Sequence, residues 1–315
     1  MKKILVYVAA ISIAFSLSCT KDTSTYATQT KEAVNPAEHF APDGKDGESL
    51  GTLIPGINKV TINVSMPDGS TVLREFKYYF PRSINPNKPI SLLFNFHGSY
   101  TYTAGSPAPD PILNVSLSDP LNKLADTANI VTVWPAGAVE TGAVNWQYSE
   151  KHIPFVKEMI SFFTKGSPAI DPKRVYSCGQ SSGAIFSFVL AYEMSEYFAA
   201  VCPVSGQMKL PANLVMPTRK VPIRAFNGTA DDIVNHAAAL SNIKAWAEKI
   251  GGYPVKTELP LQALIKADTY SISPYKWNGG AVDIELYSVK DAGHGMNWTI
   301  LTPLMWEFMR KHAQK

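Results

Sequence analysis

Cysteine is scarce. There are three in 315 residues, at Cys19, Cys178 and Cys202, and neither of the later two has company suited to a metal ion. This excludes a disulfide-stapled small scaffold and a cysteine-ligated zinc module. A charge imbalance is also missing. The 29 Lys and Arg against 26 Asp and Glu leave +3, which is no footprint for nucleic acid or for a strongly acidic partner. No internal repeat is visible, so solenoids and propellers are set aside. Charged residues make up 17% of the chain and apolar ones 45%, the balance of a folded enzyme and not of a disordered chain. The first apolar run, Ile4–Phe15, is too short for a membrane span.

That run has the form of an export signal. Lys2 and Lys3 precede it, and Ser16-Leu17-Ser18-Cys19 follows. Residues 1–18 are expected to be removed, with Cys19 becoming a lipidated first residue as in bacterial lipoproteins. Without Lys2 and Lys3 the net charge falls from +3 to about +1. Residues 19–50 are rich in Thr, Ala, Lys, Asp and Glu and short of large apolar groups. They read as a polar tether holding a domain, residues 51–315, off a membrane surface. The expected location is therefore the periplasm or cell surface of a bacterium. The membrane is met only through the lipid, and oligomeric state is left open. Cys178 and Cys202 fall in predicted strands of one sheet and are expected to be buried free thiols.

Along the domain, Lys59–Ser65 and Thr71–Tyr79 alternate on either side of Asp68-Gly69, which predicts an antiparallel edge hairpin. Ser91–Phe96, Ile130–Val133, Val175–Cys178, Phe198–Val204, Val221–Phe226 and Val282–Val289 read as further strands. Helices are predicted from Ser118 to about Thr127, over Pro154–Phe163, Ala184–Glu193 and His236–Ile250, and from Thr302-Pro303 to about Ala313. Strands separated by helices imply a mostly parallel sheet covered on both faces. Tyr253–Gly280 fits no element and is expected to be a small subdomain, an irregular excursion or a lid.

The sequence Arg174–Glu193, RVYSCGQSSGAIFSFVLAYE, organises the rest. A buried strand runs into Gly179-Gln180-Ser181-Ser182-Gly183 and then into a helix, the setting in which G-x-S-x-G is a nucleophile elbow. Serine needs a base to take its proton and an acid to orient that base. Of six histidines, His294 follows the final strand between two glycines. His39, His152, His236 and His312 are poorly placed, and His97 precedes the serine, where an oxyanion loop belongs. Asp231, just past the Val221–Phe226 strand, is the expected acid; Asp232 is the alternative, and Asp291 is too near His294 in sequence. The order Ser181, Asp231, His294 is that of an α/β-hydrolase. Oxyanion donors are expected from the Ser182 N–H and from Ser99 or Tyr100, with His97 tying down their loop.

These motifs resemble those of the α/β-hydrolase esterases grouped with polyhydroxybutyrate depolymerases, feruloyl esterases and acetylxylan esterases. The likeness spans roughly Leu73–Trp298. It rests on His97-Gly98, Trp134-Pro135-Ala136-Gly137, Asn145-Trp146, Asp171–Tyr176, Gly179–Gly183, Phe198–Gly206, Gly228–Asp231 and Gly293-His294. The family's nucleophile, acid and base fall on Ser181, Asp231 and His294. Departures are Ser99 where depolymerase-like members often carry Cys, Lys151-His152 in place of paired Asp, and the lack of Trp-Pro after His294.

The resemblance implies hydrolysis of an acyl ester, feruloyl or acetyl, on a plant-type polysaccharide, with no cofactor and no metal. Trp146, Trp298, Tyr100 and Tyr102 are loop aromatics on the site side; one or two of them are expected to line the substrate pocket, the alternative being that they only cover the sheet edge. The alternatives are an oligoester hydrolase of depolymerase type and a lipoprotein that keeps the fold only to bind glycan.

Overall fold

The computed structural model describes residues 52–314 apart from 104, 141, 148, 253–258, 261–264, 268–269 and 278–279. The expected signal, Cys19 and the tether lie outside the described residues. Among the described residues fourteen strands occur in chain order, beginning with β1 Gly56–Ser65, β2 Thr71–Phe80, β3 Ser91–Phe96, β4 Tyr100–Thr101 and β5 Ile130–Pro135. Next come β6 Ala138–Glu140, β7 Ala143–Asn145, β8 Val175–Gln180, β9 Ala200–Val204 and β10 Ile223–Gly228. The last are β11 Leu259–Pro260, β12 Ile265–Ala267, β13 Tyr270–Trp277 and β14 Ile284–Val289. Among the described residues five α-helices join them, α1 Pro120–Ala128, α2 Ser149–Thr164, α3 Ser182–Glu193, α4 His236–Trp246 and α5 Trp298–Met309, and a π-helical turn, Ala247–Gly251, continues α4.

The main sheet has 11 strands in the order β1-β2-β5-β3-β8-β9-β10-β14-β13-β11, with β12 on β13. From β5 through β14 the pairings β5/β3, β3/β8, β8/β9, β9/β10 and β10/β14 are all parallel. The β1/β2 hairpin is antiparallel, with Ser65 opposite Thr71. This is a mostly parallel sheet with an N-terminal antiparallel hairpin, the α/β-hydrolase fold. The central strands β5, β9, β10 and β14 are buried at every position, because helices cover both faces. One core gathers Phe155 and Phe163 of α2, Phe186 and Phe188 of α3, and Trp246 of α4. The other gathers Leu121 and Ala125 of α1 with Met305 and Phe308 of α5. Cys178 and Cys202 sit side by side on β8 and β9, free and buried.

Several boundaries differ from the sequence expectation. Asp119, not Ser118, caps α1 by accepting the Leu121 N–H, with Pro120 at the first turn. Helix α2 starts at Ser149, a turn before Pro154. Helix α5 starts at Trp298 behind the Asn297 cap, so Thr302-Pro303 lies inside it and not at its start. Within Tyr253–Gly280, Tyr270–Trp277 is a regular strand antiparallel to β14. Its buried Ile272 and Pro274 flank exposed Ser273, an alternation that its Pro and Ser content conceals. A second sheet, β4-β7-β6, was not anticipated; it folds the segments after β3 and β5 together.

Candidate active site

Ser181 stands between β8 and α3 with φ 55° and ψ −118°, a conformation that costs a non-glycine residue roughly 1–3 kcal/mol. The turn is held because its flanks have no room to relax. A Cβ at Gly183 would sit 2.0 Å from Phe96 O and 2.7 Å from His97 O. One at Gly179 would sit 2.6 Å from Phe96 O. The Ser181 N–H is tied to Val204 O at 3.0 Å, which anchors the turn to β9. Helix α3 starts at Ser182, so its unpaired N–H groups and positive dipole end lie beside the Ser181 hydroxyl.

The loops after β10 and β14 are interlocked. A Cβ at Gly228 would fall 2.1 Å from Ala292 O, and the Ala230 N–H donates to Ala292 O at 3.0 Å. The Asp291 N–H donates to Thr229 Oγ1 at 2.8 Å. This seam brings His294 to Asp231: Nδ1 lies 3.1 Å from both carboxylate oxygens. The Asp231 side chain is fully buried, while that of His294 is 18% exposed. The carboxylate also accepts the Ile233 N–H at 3.0 Å and the Val234 N–H at 2.8 Å on Oδ1, and Asn227 Nδ2 at 3.3 Å on Oδ2. His294 Nε2 has no hydrogen-bond partner among the described residues. Asp232 is exposed, as is Asp291, and neither bonds to His294.

Gln180 links the serine to this pair. Its Nε2 donates to His294 O at 2.9 Å, and its Oε1 accepts from Trp298 Nε1 at 3.3 Å. Sequence reasoning passed over it because it is the variable position of the pentapeptide. Asn227, on a buried strand, was missed for want of any motif.

On the other side of Ser181 lies the loop after β3. A Cβ built at Gly98 would be 3.5 Å from Ser181 Cβ, so this backbone runs alongside the hydroxyl. The His97 ring pins it: Nε2 accepts the Gly137 N–H at 2.9 Å and Nδ1 lies 2.6 Å from Gly98 O. A backbone N–H can only donate, so Nε2 carries the lone pair and Nδ1–H donates to Gly98 O. Burial pushes the His97 pKa down to about 4, keeping the ring neutral. Ser99 and Tyr100 follow in this loop and are exposed, with Tyr100 at the start of β4. Ser182 is buried, and its Oγ accepts the Trp146 N–H at 3.1 Å.

The aromatic residues divide. Trp146 is only 4% exposed; its ring stacks on Phe186 at 5.2 Å and meets Phe96 edge-on at 4.9 Å. Its Nε1 donates to His97 O at 3.0 Å. Trp146, named among the candidate pocket-lining aromatics, is instead a strut under the Ser99 loop, because α3 supplies Phe186 to cover it. Tyr100 is 42% exposed, Trp298 is half-buried, and Tyr102 is half-buried with its hydroxyl donating to Glu140 O at 2.8 Å.

A strained serine beside a helix start, a carboxylate-oriented imidazole and a pinned loop are the parts that acyl transfer requires. Among the described residues no group of three or more His, Cys, Asp or Glu is placed to hold a metal ion. No family model matches the chain. A bifunctional acetylxylan esterase/xylanase of Neocallimastix patriciarum is 29% identical over 205 residues, 64% of this chain and 28% of that protein. Feruloyl esterase B of Piromyces equi is 27% identical over 173 residues, 52% of this chain and 30% of that protein. The matched segment thus spans about a third of those relatives. The solved acetyl xylan esterase from Aspergillus awamori superposes with a TM-score of 0.59 at 15% identity, covering 81% of this chain and 99% of that one. The chain has the α/β-hydrolase fold and is similar over part of its length to these esterases.

Proposed function

We propose that the chain is a serine carboxylesterase cleaving acetyl or feruloyl esters on a plant-type saccharide. The observation that carries the chemistry is the seam between the loops after β10 and β14, which hands His294 Nδ1 to the buried Asp231 carboxylate while Gln180 ties the same loop to Ser181. In this reading His294 Nε2 takes the Ser181 proton as Oγ attacks the ester carbonyl. The N–H groups of Ser182 and Ser99, or of Tyr100, receive the tetrahedral oxyanion. His294, now positive against Asp231, protonates the departing sugar oxygen, and water repeats the sequence on the acyl-enzyme. The saccharide ester is supported by the relatives' names and by Tyr100 and Trp298 as partly open aromatics beside the site.

Residues 51–315 would form the catalytic domain behind the tether 19–50. Export and lipidation of Cys19 belong to the same proposal and rest on the sequence. Labelling with a fatty-acid analogue, lost in Cys19→Ser, is the expected result; an unlabelled wild type refutes the anchor. The activity is tested with purified protein on acetylated xylan, methyl ferulate, short p-nitrophenyl esters and a hydroxybutyrate oligomer. The first two substrate classes should be cleaved faster than the oligomer. A tenfold preference for the oligomer, about 1.4 kcal/mol in barrier, would reverse the substrate assignment. Glycan binding with no ester cleavage would overturn the enzyme reading.

A further inference from the structure

Arg74, on β2, is the cation that the site described above does not use. It is half-buried, and no carboxylate pairs with it among the described residues. Its Nη1 donates to Lys151 O at 3.0 Å and its Nη2 to Ala136 O at 2.8 Å. Nη2 also lies 3.3 Å from His152 Nδ1, and the guanidinium sits 4.3 Å from the Phe155 ring centroid. Guanidinium can only donate, so His152 accepts at Nδ1 and donates from Nε2 to Gln147 O at 2.8 Å. His152 is thus neutral, in keeping with burial pushing its pKa down to about 3. Burial also lowers Arg74, to about 10, which leaves it charged at neutral pH. An unpaired cation held on carbonyls and a ring projects its field outward.

The carbonyl it grips matters. Ala136 O and Gly137 N belong to one peptide group, and that N–H donates to His97 Nε2 at 2.9 Å. His97 Nδ1–H donates in turn to Gly98 O at 2.6 Å. Gly98 O and the Ser99 N–H again belong to one peptide group. An unbroken chain therefore runs from guanidinium to peptide to imidazole to peptide, ending on the Ser99 N–H. Every link points its donor the same way. Such chains polarise cooperatively, each bond strengthening the next. The trans peptide sets C=O and N–H in opposite directions, so pinning Gly98 O also fixes where the Ser99 N–H is aimed.

We propose that Arg74, acting through His97, is a positioning residue that orients and polarises the Ser99 N–H as an oxyanion donor. The inference deepens the esterase reading and rests on it for the role of Ser99. Charge on the substrate oxygen develops only in the transition state, so a loss of polarisation falls on kcat and spares KM.

The test measures kcat and KM on p-nitrophenyl acetate for Arg74→Met, Arg74→Lys, His97→Asn and the Arg74→Met/His97→Asn double variant. Alongside, NMR follows the His97 Nδ1–H proton in wild type and Arg74→Met. Arg74→Met should lower kcat about tenfold with KM within about twofold, and Arg74→Lys should recover to within about threefold of wild type. His97→Asn keeps a donor for Gly98 O but loses the acceptor for the Gly137 N–H. It should show a similar loss, to which Arg74→Met adds no more than about twofold. The Nδ1–H resonance should be present in wild type and move upfield in Arg74→Met. Losses that multiply in the double variant, an unchanged kcat, or a loss carried by KM would overturn the relay. Should Arg74→Met not fold, Arg74→Gln is judged by the same criteria. A wild type that cleaves no ester would sink the esterase reading instead, and the His97 resonance would then decide the chain of hydrogen bonds alone.

Discussion

Replacing Asp231 by Asn probes the acid more sharply than its deletion, because the pocket dictates how the amide must sit. Oδ1 takes the N–H groups of Ile233 and Val234, so the amide oxygen is forced into that position. The NH2 group then takes the Oδ2 position, 3.1 Å from His294 Nδ1 and 3.3 Å from Asn227 Nδ2, itself a donor. Nδ1, 3.1 Å from both positions, now faces a donor as well as an oxygen, and where it accepts from the NH2 the ring proton moves to Nε2 and the lone pair that would accept from Ser181 is lost. Imidazolium also loses its counter-charge. Wrong tautomer and lost charge together cost about three to four orders of magnitude in kcat in such triads, roughly 4–5.5 kcal/mol. The assay is kcat on p-nitrophenyl acetate, with thermal unfolding as the check that the fold persists. Asp232→Asn, at an exposed position, should change kcat less than twofold. A folded Asp231→Asn within tenfold of wild type, or a collapse in Asp232→Asn, would refute the reasoning.

Two further outcomes concern stability. His97 and His152 are held neutral, with pKa values lowered by burial to about 4 and about 3. Above pH 6.5 neither state binds the proton; as pH falls toward 4 the unfolded chain binds protons that the folded one refuses, so folding weakens over that window. The unfolding midpoint should drop between pH 7 and 4.5, with a shallower slope in the His97→Asn/His152→Gln variant; equal slopes would contradict it. Gly183→Ala places a methyl 2.0 Å from Phe96 O, so the elbow must open. It should yield insoluble or inactive protein, and an active, stable variant would show the turn to be looser than described.

Legibility in the sequence followed physical locality. The edge hairpin and the buried strands were readable because alternation and apolar runs report burial directly. The positions of Ser181, Asp231 and His294 past their strands were readable for the same reason, with glycines marking the tight approaches. Trp146 was misplaced because exposure of a loop aromatic depends on what a distant helix brings, here Phe186. The start of α5 was set too late since Pro303 sits as well inside its first turns as at its head. Strand β13 was hidden by Pro274, which lies opposite Tyr287 of β14, because a Pro inside a run argues against a strand. Arg74 and its chain of hydrogen bonds join residues 74, 97, 136 and 152, and no local pattern links them.

The central claim is that Ser181 is the nucleophile of an esterase. Its most direct measurement is stoichiometric labelling with a fluorophosphonate, read by intact mass and peptide mapping and paired with hydrolysis of p-nitrophenyl acetate. One label per chain on Ser181, with label and hydrolysis both lost in Ser181→Ala and slowed in His294→Ala, is the predicted result. Ester hydrolysis that survives in Ser181→Ala, or a label that maps to another residue, would contradict it.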